Sequence, residues 1–208
     1  MELSLTSNGI FTSVLSRYPQ IFETLLANTY GKIWMVGGSV ASIIVDDMRN
    51  PGHHPDFDYW NLYSMGDFQF RDLDFIVEEF RTDFKASSGW DKKVNTFGGI
   101  KLLRRSPFRE QVVTVDIWKM RKHDPCRRHN LPYTIENVLR LAPLTIQSIA
   151  VDLRNAQVIG EAGIKAICTK TVAVNNISEA RNYSRIYGTT VEAFILKKAE
   201  EYNFTPIL

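Results

Sequence analysis

Cysteine is scarce here: Cys126 and Cys168 are the only two, far apart and outside any CxxC or Cys/His metal spacing. The expectation is a pair of reduced thiols rather than a disulfide scaffold. No apolar run approaches the ~20 residues of a membrane span. The opening residues, MELSLTSNGIFTSV, lack the basic start and sustained apolar stretch of a secretion signal. A soluble cytoplasmic protein with no membrane partner is expected. An excess of one charge is missing as well. With 25 basic and 23 acidic residues the net charge is +2, so any polyanion must be held by a local basic patch. There is no internal repeat and no low-complexity segment. What remains is an ordinary globular composition, 44% hydrophobic over 208 residues. That fits one domain, or one domain with a small appendage.

Along the chain, apolar positions from Phe11 to Tyr30 have helical spacing, with Pro19 forcing a break or a new start. Lys32–Val36 predicts a short strand that runs into Gly37, Gly38 and Ser39, and Val40–Met48 predicts a helix. Residues 49–70, punctuated by Pro51, Gly52, Pro55 and Gly66, form an excursion rich in Asp, His, Tyr and Trp. Strands are predicted over Arg71–Glu79, Gly98–Arg105 and Gln111–Met120, and a helix over Thr134–Leu141. Leu144–Leu153 and Val158–Ile159 predict a hairpin around Asn155-Ala156. Ile164–Ile167 and Ser178–Glu201 read as helical, with Gly188 a weak point.

Chemistry concentrates in three places. Gly37-Gly38-Ser39 joins strand to helix. Glycine allows close backbone approach, and free N–H groups at the helix start, with the Ser39 hydroxyl, can hold phosphate. A glycine pair that merely packs helix on strand is the alternative. Asp72 and Asp74, two apart in an otherwise apolar strand, emerge on one face, close enough to share divalent cations. Asp116 is the only charge within VVTVDIW. A lone acid in such a run needs a partner: either a metal shared with other carboxylates or a cation, with Lys119 and Arg121 nearest in sequence.

The order of these features resembles the nucleotidyltransferase superfamily, and most closely the head domain of poly(A) polymerases and CCA-adding tRNA nucleotidyltransferases. Val36–Val40 is similar to the opening of that family's GGxVRD motif, and Arg71–Val77 to its DxD strand. Phe97–Lys101 and Val113–Arg121 resemble its next two strands, with Arg121 at the arginine after the third acid. Thr145–Leu153 with Val158-Ile159 is similar to the TINALAxD hairpin and the isoleucine after it. There are departures. Ala41 and Ser42 replace the Arg-Asp after GGxV, and Leu141, Ala142 and Pro143 replace an Arg-Arg-Asp. The base-reading motif of the neck helix is matched only by Ser178–Arg181, with Ser178 where an Asp is usual and Arg185 one turn on.

The resemblance implies an α/β nucleotidyltransferase (polymerase-beta-like) fold. A short mixed sheet would form a catalytic head over residues 1–160, followed by a small helical neck over 161–208. It implies metal-dependent transfer of a nucleoside monophosphate from an NTP to a hydroxyl acceptor. RNA is the expected acceptor, with protein or a small molecule also open. Asp72, Asp74 and Asp116 would be catalytic and hold Mg²⁺ or Mn²⁺. Gly37, Gly38, Ser39, Arg121, Arg181 and Arg185 would bind nucleotide and phosphate. The rival is a non-catalytic nucleotide- or RNA-binding descendant of such an enzyme.

Other clusters read more plainly. His53, His54, Asp56 and Asp58 are expected to form a polar loop rather than a metal site. Phe57, Tyr59, Trp60 and Tyr63 pack the excursion or stack on bases. The basic groups at Lys101, Arg104, Arg105 and Arg109, and at Lys119, Arg121, Lys122, Arg127 and Arg128, form either a solvated face or a phosphate-holding one.

Overall fold

The computed structural model describes residues 19–49, 72–95, 98–105 and 112–208. The excursion's His, Asp and aromatic residues, and Arg71, Phe97 and Arg109, lie outside these.

Helix α1 (Pro19–Asn28) starts at the proline, whose missing N–H costs nothing in a first turn. It turns Ile21, Phe22 and Leu25 into the core. Strand β1 (Thr29–Val36) follows directly, and Gly37 turns the chain into α2 (Gly38–Arg49). Next come β2 (Asp72–Phe80), β3 (Asp91–Val94), β4 (Ile100–Arg105) and β5 (Val112–Lys119). Two short helices follow, α3 (Asp124–Arg128) and α4 (Ile135–Arg140), the second capped by the Thr134 hydroxyl. The hairpin of β6 (Ala150–Asp152) and β7 (Gln157–Ile159) completes the sheet. Helices α5 (Glu161–Thr169), α6 (Ile177–Ile186) and α7 (Val191–Tyr202) close the chain. A two-residue pair, β8 (Thr171–Val172) with β9 (Thr205–Pro206), ties its end down.

The architecture is mixed α/β, as expected. Among the described residues, seven strands lie in the order β3-β4-β5-β2-β1-β6-β7. Every neighbouring pair is antiparallel except β2 and β5, which run parallel. Alternation along the strands separates two faces. Leu73, Phe75, Val77, Ile33, Met35, Val115 and Ile117 enter the main core with residues of α1, α2, α5 and α7. The other face carries Asp74, Ile76, Trp34, Val36 and Trp118, and a smaller apolar cluster there is closed by Cys126, Ile135, Val138 and Leu139 of α3 and α4. The acids thus stand on a sheet face that is only partly roofed.

The structure departs from the expected elements in places. Strand β3 was not expected: all four of its residues are exposed, so no apolar alternation announces it. The first half of Leu144–Leu153 is not strand but a 3-10 turn, Thr145–Gln147, because Thr145 bonds Ala173 and Ser148 bonds Leu139 instead of a neighbouring strand. The alternation of Leu144, Thr145, Ile146 and Gln147 imitates the period of a strand. The helical stretch expected over Ser178–Glu201 is two helices, divided at the weak point Gly188. The chain turns through Tyr187 and Gly188, the latter at φ 62°, and Thr190 caps the second helix.

Candidate active site

One rung of residues crosses the whole sheet at the same register. Lys93 faces Lys101, Lys101 faces Asp116, Asp116 faces Asp74, Asp74 faces Val36, Val36 faces Ala150, and Ala150 faces Ile159. Register partners share a face, so Asp74 and Asp116 stand side by side on adjacent parallel strands. Asp72, two residues before Asp74, stands next along the same face. Val36 is the last residue of β1, so the glycine turn leaves the sheet directly beside Asp74.

The electrostatics follow from that crowding. Burial first, then the charges of Asp116 and Asp72, push Asp74 up from 3.8 to about 7, with Lys101 pulling the other way. Asp116 is held by Lys101 Nζ at 2.9 Å. Its cation therefore comes from a cross-strand neighbour and not from Lys119 or Arg121. Lys119, three residues on, lies on the opposite face of β5, and both it and Arg121 (2.7 Å) bind Glu79. Those bonds, Lys119's first, hold the Glu79 carboxyl below its ordinary value. Among the described residues no three His, Cys, Asp or Glu side chains close into a ready metal cage. The donor set nonetheless suits Mg²⁺, which takes one or two carboxylates and fills the remaining positions with substrate phosphate and water. Three acids facing one lysine leave a local excess of negative charge that a divalent cation would relieve.

At the glycine turn, Gly37 adopts φ 78°, a left-handed conformation that glycine accepts without strain. Its N–H donates to Ile149 O (2.9 Å), and its carbonyl takes the first bond of α2, from Ala41 N (3.3 Å). The amides of Gly38, Ser39 and Val40 are thus first-turn donors with no acceptor inside the helix. The Ser39 hydroxyl donates to Val36 O at 3.2 Å, and the residue is buried. From the far end of the chain, the Tyr202 hydroxyl donates to Gly38 O (2.9 Å) and accepts from Ser42 Oγ (3.1 Å). A side chain at Gly38 would begin 3.3 Å from that hydroxyl.

Helix α6 brings a further group that the sequence did not mark. Glu179 is buried, and its two oxygens meet Arg128 Nη2 (2.5 Å) and His129 Nε2 (2.7 Å), clamping α6 to α3. Arg181 and Arg185 lie exposed on α6, and Arg185 donates to Asn182 (2.8 Å). Tyr183 stacks on Tyr187 and on Phe194 of α7. Burial pushes its hydroxyl up to about 12, with Tyr187 and the charges of Glu201 and Asp74 adding to the effect. The structure therefore gathers the three acids, Lys101 and the glycine turn, and turns Arg121 toward Glu79. The pairing of Lys101 with Asp116 and the contact of Tyr202 with the glycine turn carried no local sequence signal.

No protein-family profile and no curated protein sequence matches the chain. Solved structures do. A tRNA-processing enzyme in apo form aligns with TM-score 0.53 at 16% identity, covering 94% of this chain and 44% of that one. A CCA-adding enzyme in complex with ATP aligns with TM-score 0.50 at 16% identity, covering 94% and 39%. The Thermotoga maritima CCA-adding enzyme complexed with tRNA gives TM-score 0.50 at 15% identity, again covering 94% and 39%. The chain thus has the fold of nucleotidyltransferase heads and spans less than half the length of these structures. Among the described residues, no helix is long and apolar enough to cross a membrane.

Proposed function

We propose that this protein is a Mg²⁺- or Mn²⁺-dependent nucleotidyltransferase that moves a nucleoside monophosphate from an NTP to a hydroxyl of RNA. The observation that carries this reading is the rung Lys101–Asp116–Asp74 ending beside the glycine turn. Carboxylates and the free first-turn amides of α2 then stand at one end of one strand pair. The fold likeness to enzymes whose structures hold ATP or tRNA supports it.

Asp72 and Asp74 would hold metal, with Asp116 completing the set. When bound, the cations would supply charge neutralisation at the triphosphate and a more acidic acceptor hydroxyl. The chain's own part is positioning. The first-turn amides of α2 would hold phosphate oxygens, with Gly37 and Gly38 allowing the approach and Ser39 adding its N–H. Arg181 and Arg185, exposed on α6, would contact nucleotide or phosphate, whereas Arg121, paired with Glu79 away from the acids, is left out of the site. Lys101 would keep Asp116 charged and oriented until substrate arrives. Residues 161–208 would act as the neck that closes over the nucleotide. A cytoplasmic setting belongs to the same reading, since Cys126 and Cys168 are both free.

The second reading, a binding protein descended from such an enzyme, is favoured by Ala41, Ser42 and the Leu141-Ala142-Pro143 run at positions where phosphate-contacting groups are expected. Incubation with each labelled NTP, Mg²⁺ or Mn²⁺, and total RNA separates the two. Label transferred to RNA, and lost in Asp74→Asn, is the expected result. NTP binding without transfer decides for the second reading.

A further inference from the structure

Strand β3 lies at the open edge of the sheet, and its four residues are all exposed, so burial does not explain what they are. Its two lysines differ. Lys92 turns its ammonium inward and donates to Phe84 O at 2.7 Å, tying the strand to the segment before it. Lys93, one residue on, stands on the other face. Among the described residues it makes no hydrogen bond and no ion pair, not even with Asp91, two residues back on its own face.

Lys93 nevertheless stands directly opposite Lys101 in the antiparallel pair of β3 and β4. Like charges in that relation destabilise a sheet. Lys101 has its counter-ion in Asp116, and Lys93 has none, so folding gives no account of this second ammonium. The row to which it belongs gives one. From Lys101 the row continues to Asp116 and Asp74, which puts Lys93 on the face of the acids. Three strand spacings, about 14 Å, separate its strand from that of Asp74. On the other side of Asp74 the row reaches Val36, beside the glycine turn. One step along the strands, α3 and α4 roof the face over Trp34, Ile76 and Trp118. Toward β3 the row is open among the described residues. A polyanion brought to the acids from that side meets concentrated negative charge, and a net charge of +2 supplies no general attraction. A cation at the outer end of the row offsets the repulsion.

We propose that Lys93 holds a backbone phosphodiester of the RNA acceptor, so that the strand enters over the β3 edge with its terminal hydroxyl toward Asp116 and Asp74. The proposal rests on the RNA-directed transfer reading above and adds to it which side of the sheet the acceptor crosses and which residue meets it. An ammonium is a point charge without base preference, so the contact positions the strand and leaves its sequence unread. Such a contact releases a counter-ion from the RNA, which makes it visible as a salt dependence.

The test uses the full chain with Mg²⁺ and no NTP, following the anisotropy of a fluorescein-labelled single-stranded RNA of mixed sequence through a salt titration. ATP affinity is measured separately by calorimetry. Lys93→Ala is expected to weaken RNA about fivefold at low salt. The slope of log affinity against log salt should flatten by about 0.7, the share of one phosphate on a single strand. ATP affinity should be unchanged and the melting temperature not lowered. Lys93→Glu keeps a charged sheet edge, which by itself discourages edge pairing, and should weaken RNA further. Lys197→Ala removes the same charge from an exposed position on α7 and should leave RNA affinity within about twofold. An unchanged affinity and slope in Lys93→Ala overturns the contact. So does an equal loss in Lys197→Ala, which would make the effect one of net charge. A parent that binds ATP and no RNA overturns it too and leaves nucleotide binding standing, whereas a parent that binds neither overturns the transferase reading as well.

Discussion

The Asp74 carboxyl, raised by burial and by its neighbours Asp116 and Asp72 to about 7, keeps a proton in the folded chain over a range where the unfolded chain has released it. Between pH 3.8 and about 7 the folded state binds more protons than the unfolded one. This group's contribution to stability is therefore present at low pH and lost as pH rises through that window. Asp74→Asn is neutral throughout. In EDTA at pH 7.5 it should melt above the parent, and the gap should close as pH falls toward 4. Adding Mg²⁺ should raise the parent and leave the variant nearly unmoved. His123 has the opposite dependence: burial pushes it down to about 4, so its contribution is lost as pH falls from about 6.5. Both chains carry it, and the difference between their melting curves isolates Asp74. A variant less stable than the parent at pH 7.5 would mean that the carboxylates are not crowded.

Helix α6 owes its start to Asn176, whose side chain accepts from Glu179 N, and its seat to the Glu179 carboxylate on Arg128 and His129. A charged pair loses much of its value in water, and Arg128 is 38% exposed at its side chain, but the Glu179 side chain is only 7% exposed. Glu179→Ala removes the partner of His129 Nε2 and one of the two carboxylates on Arg128, which keeps Asp124. It is expected to cost about 2 kcal/mol in urea unfolding, with Glu179→Gln in between. A cost under about 0.5 kcal/mol would class the pair with surface ion pairs and remove the reason for α6 to hold a fixed place beside the site.

The main core runs through the whole described chain. Ala166, Ile167, Val172, Phe194, Ile195, Ala199 and Tyr202 belong to the same buried cluster as Ile33, Val40 and Phe75. A chain ending at Gly160 would expose the α2 and sheet surfaces that these side chains cover. Each large apolar side chain left uncovered forfeits about 1.5–3 kcal/mol, against a typical total of about 5–15 kcal/mol. The truncated chain is expected to show no cooperative thermal transition and to bind hydrophobic dyes. A sharp melt from residues 1–160 would instead establish the head as an independent unit and the helices as an accessory.

Much of the site was legible locally. The alternation in Asp72–Val77 put both acids on one face, the apolar run around Asp116 marked it as needing a partner, and Gly37 and Gly38 marked the turn. These are properties of neighbouring residues, set by the twofold period of a strand and by the backbone freedom of glycine. The partners were not legible. Lys101 meets Asp116, Tyr202 meets Gly38 across 164 positions, and Glu179 meets Arg128 across 51. Each contact depends on the register between strands or on where a helix docks, and these are set by long-range packing of the core. For the same reason the exposed strand β3 left no clear pattern, whereas Gly188 had marked the break between α6 and α7. By itself the sequence determined which residues share a face and where the chain turns. The tertiary structure decided which faces meet, because only the closed core fixes the register that brings a carboxylate, a lysine and a glycine turn to one end of one sheet.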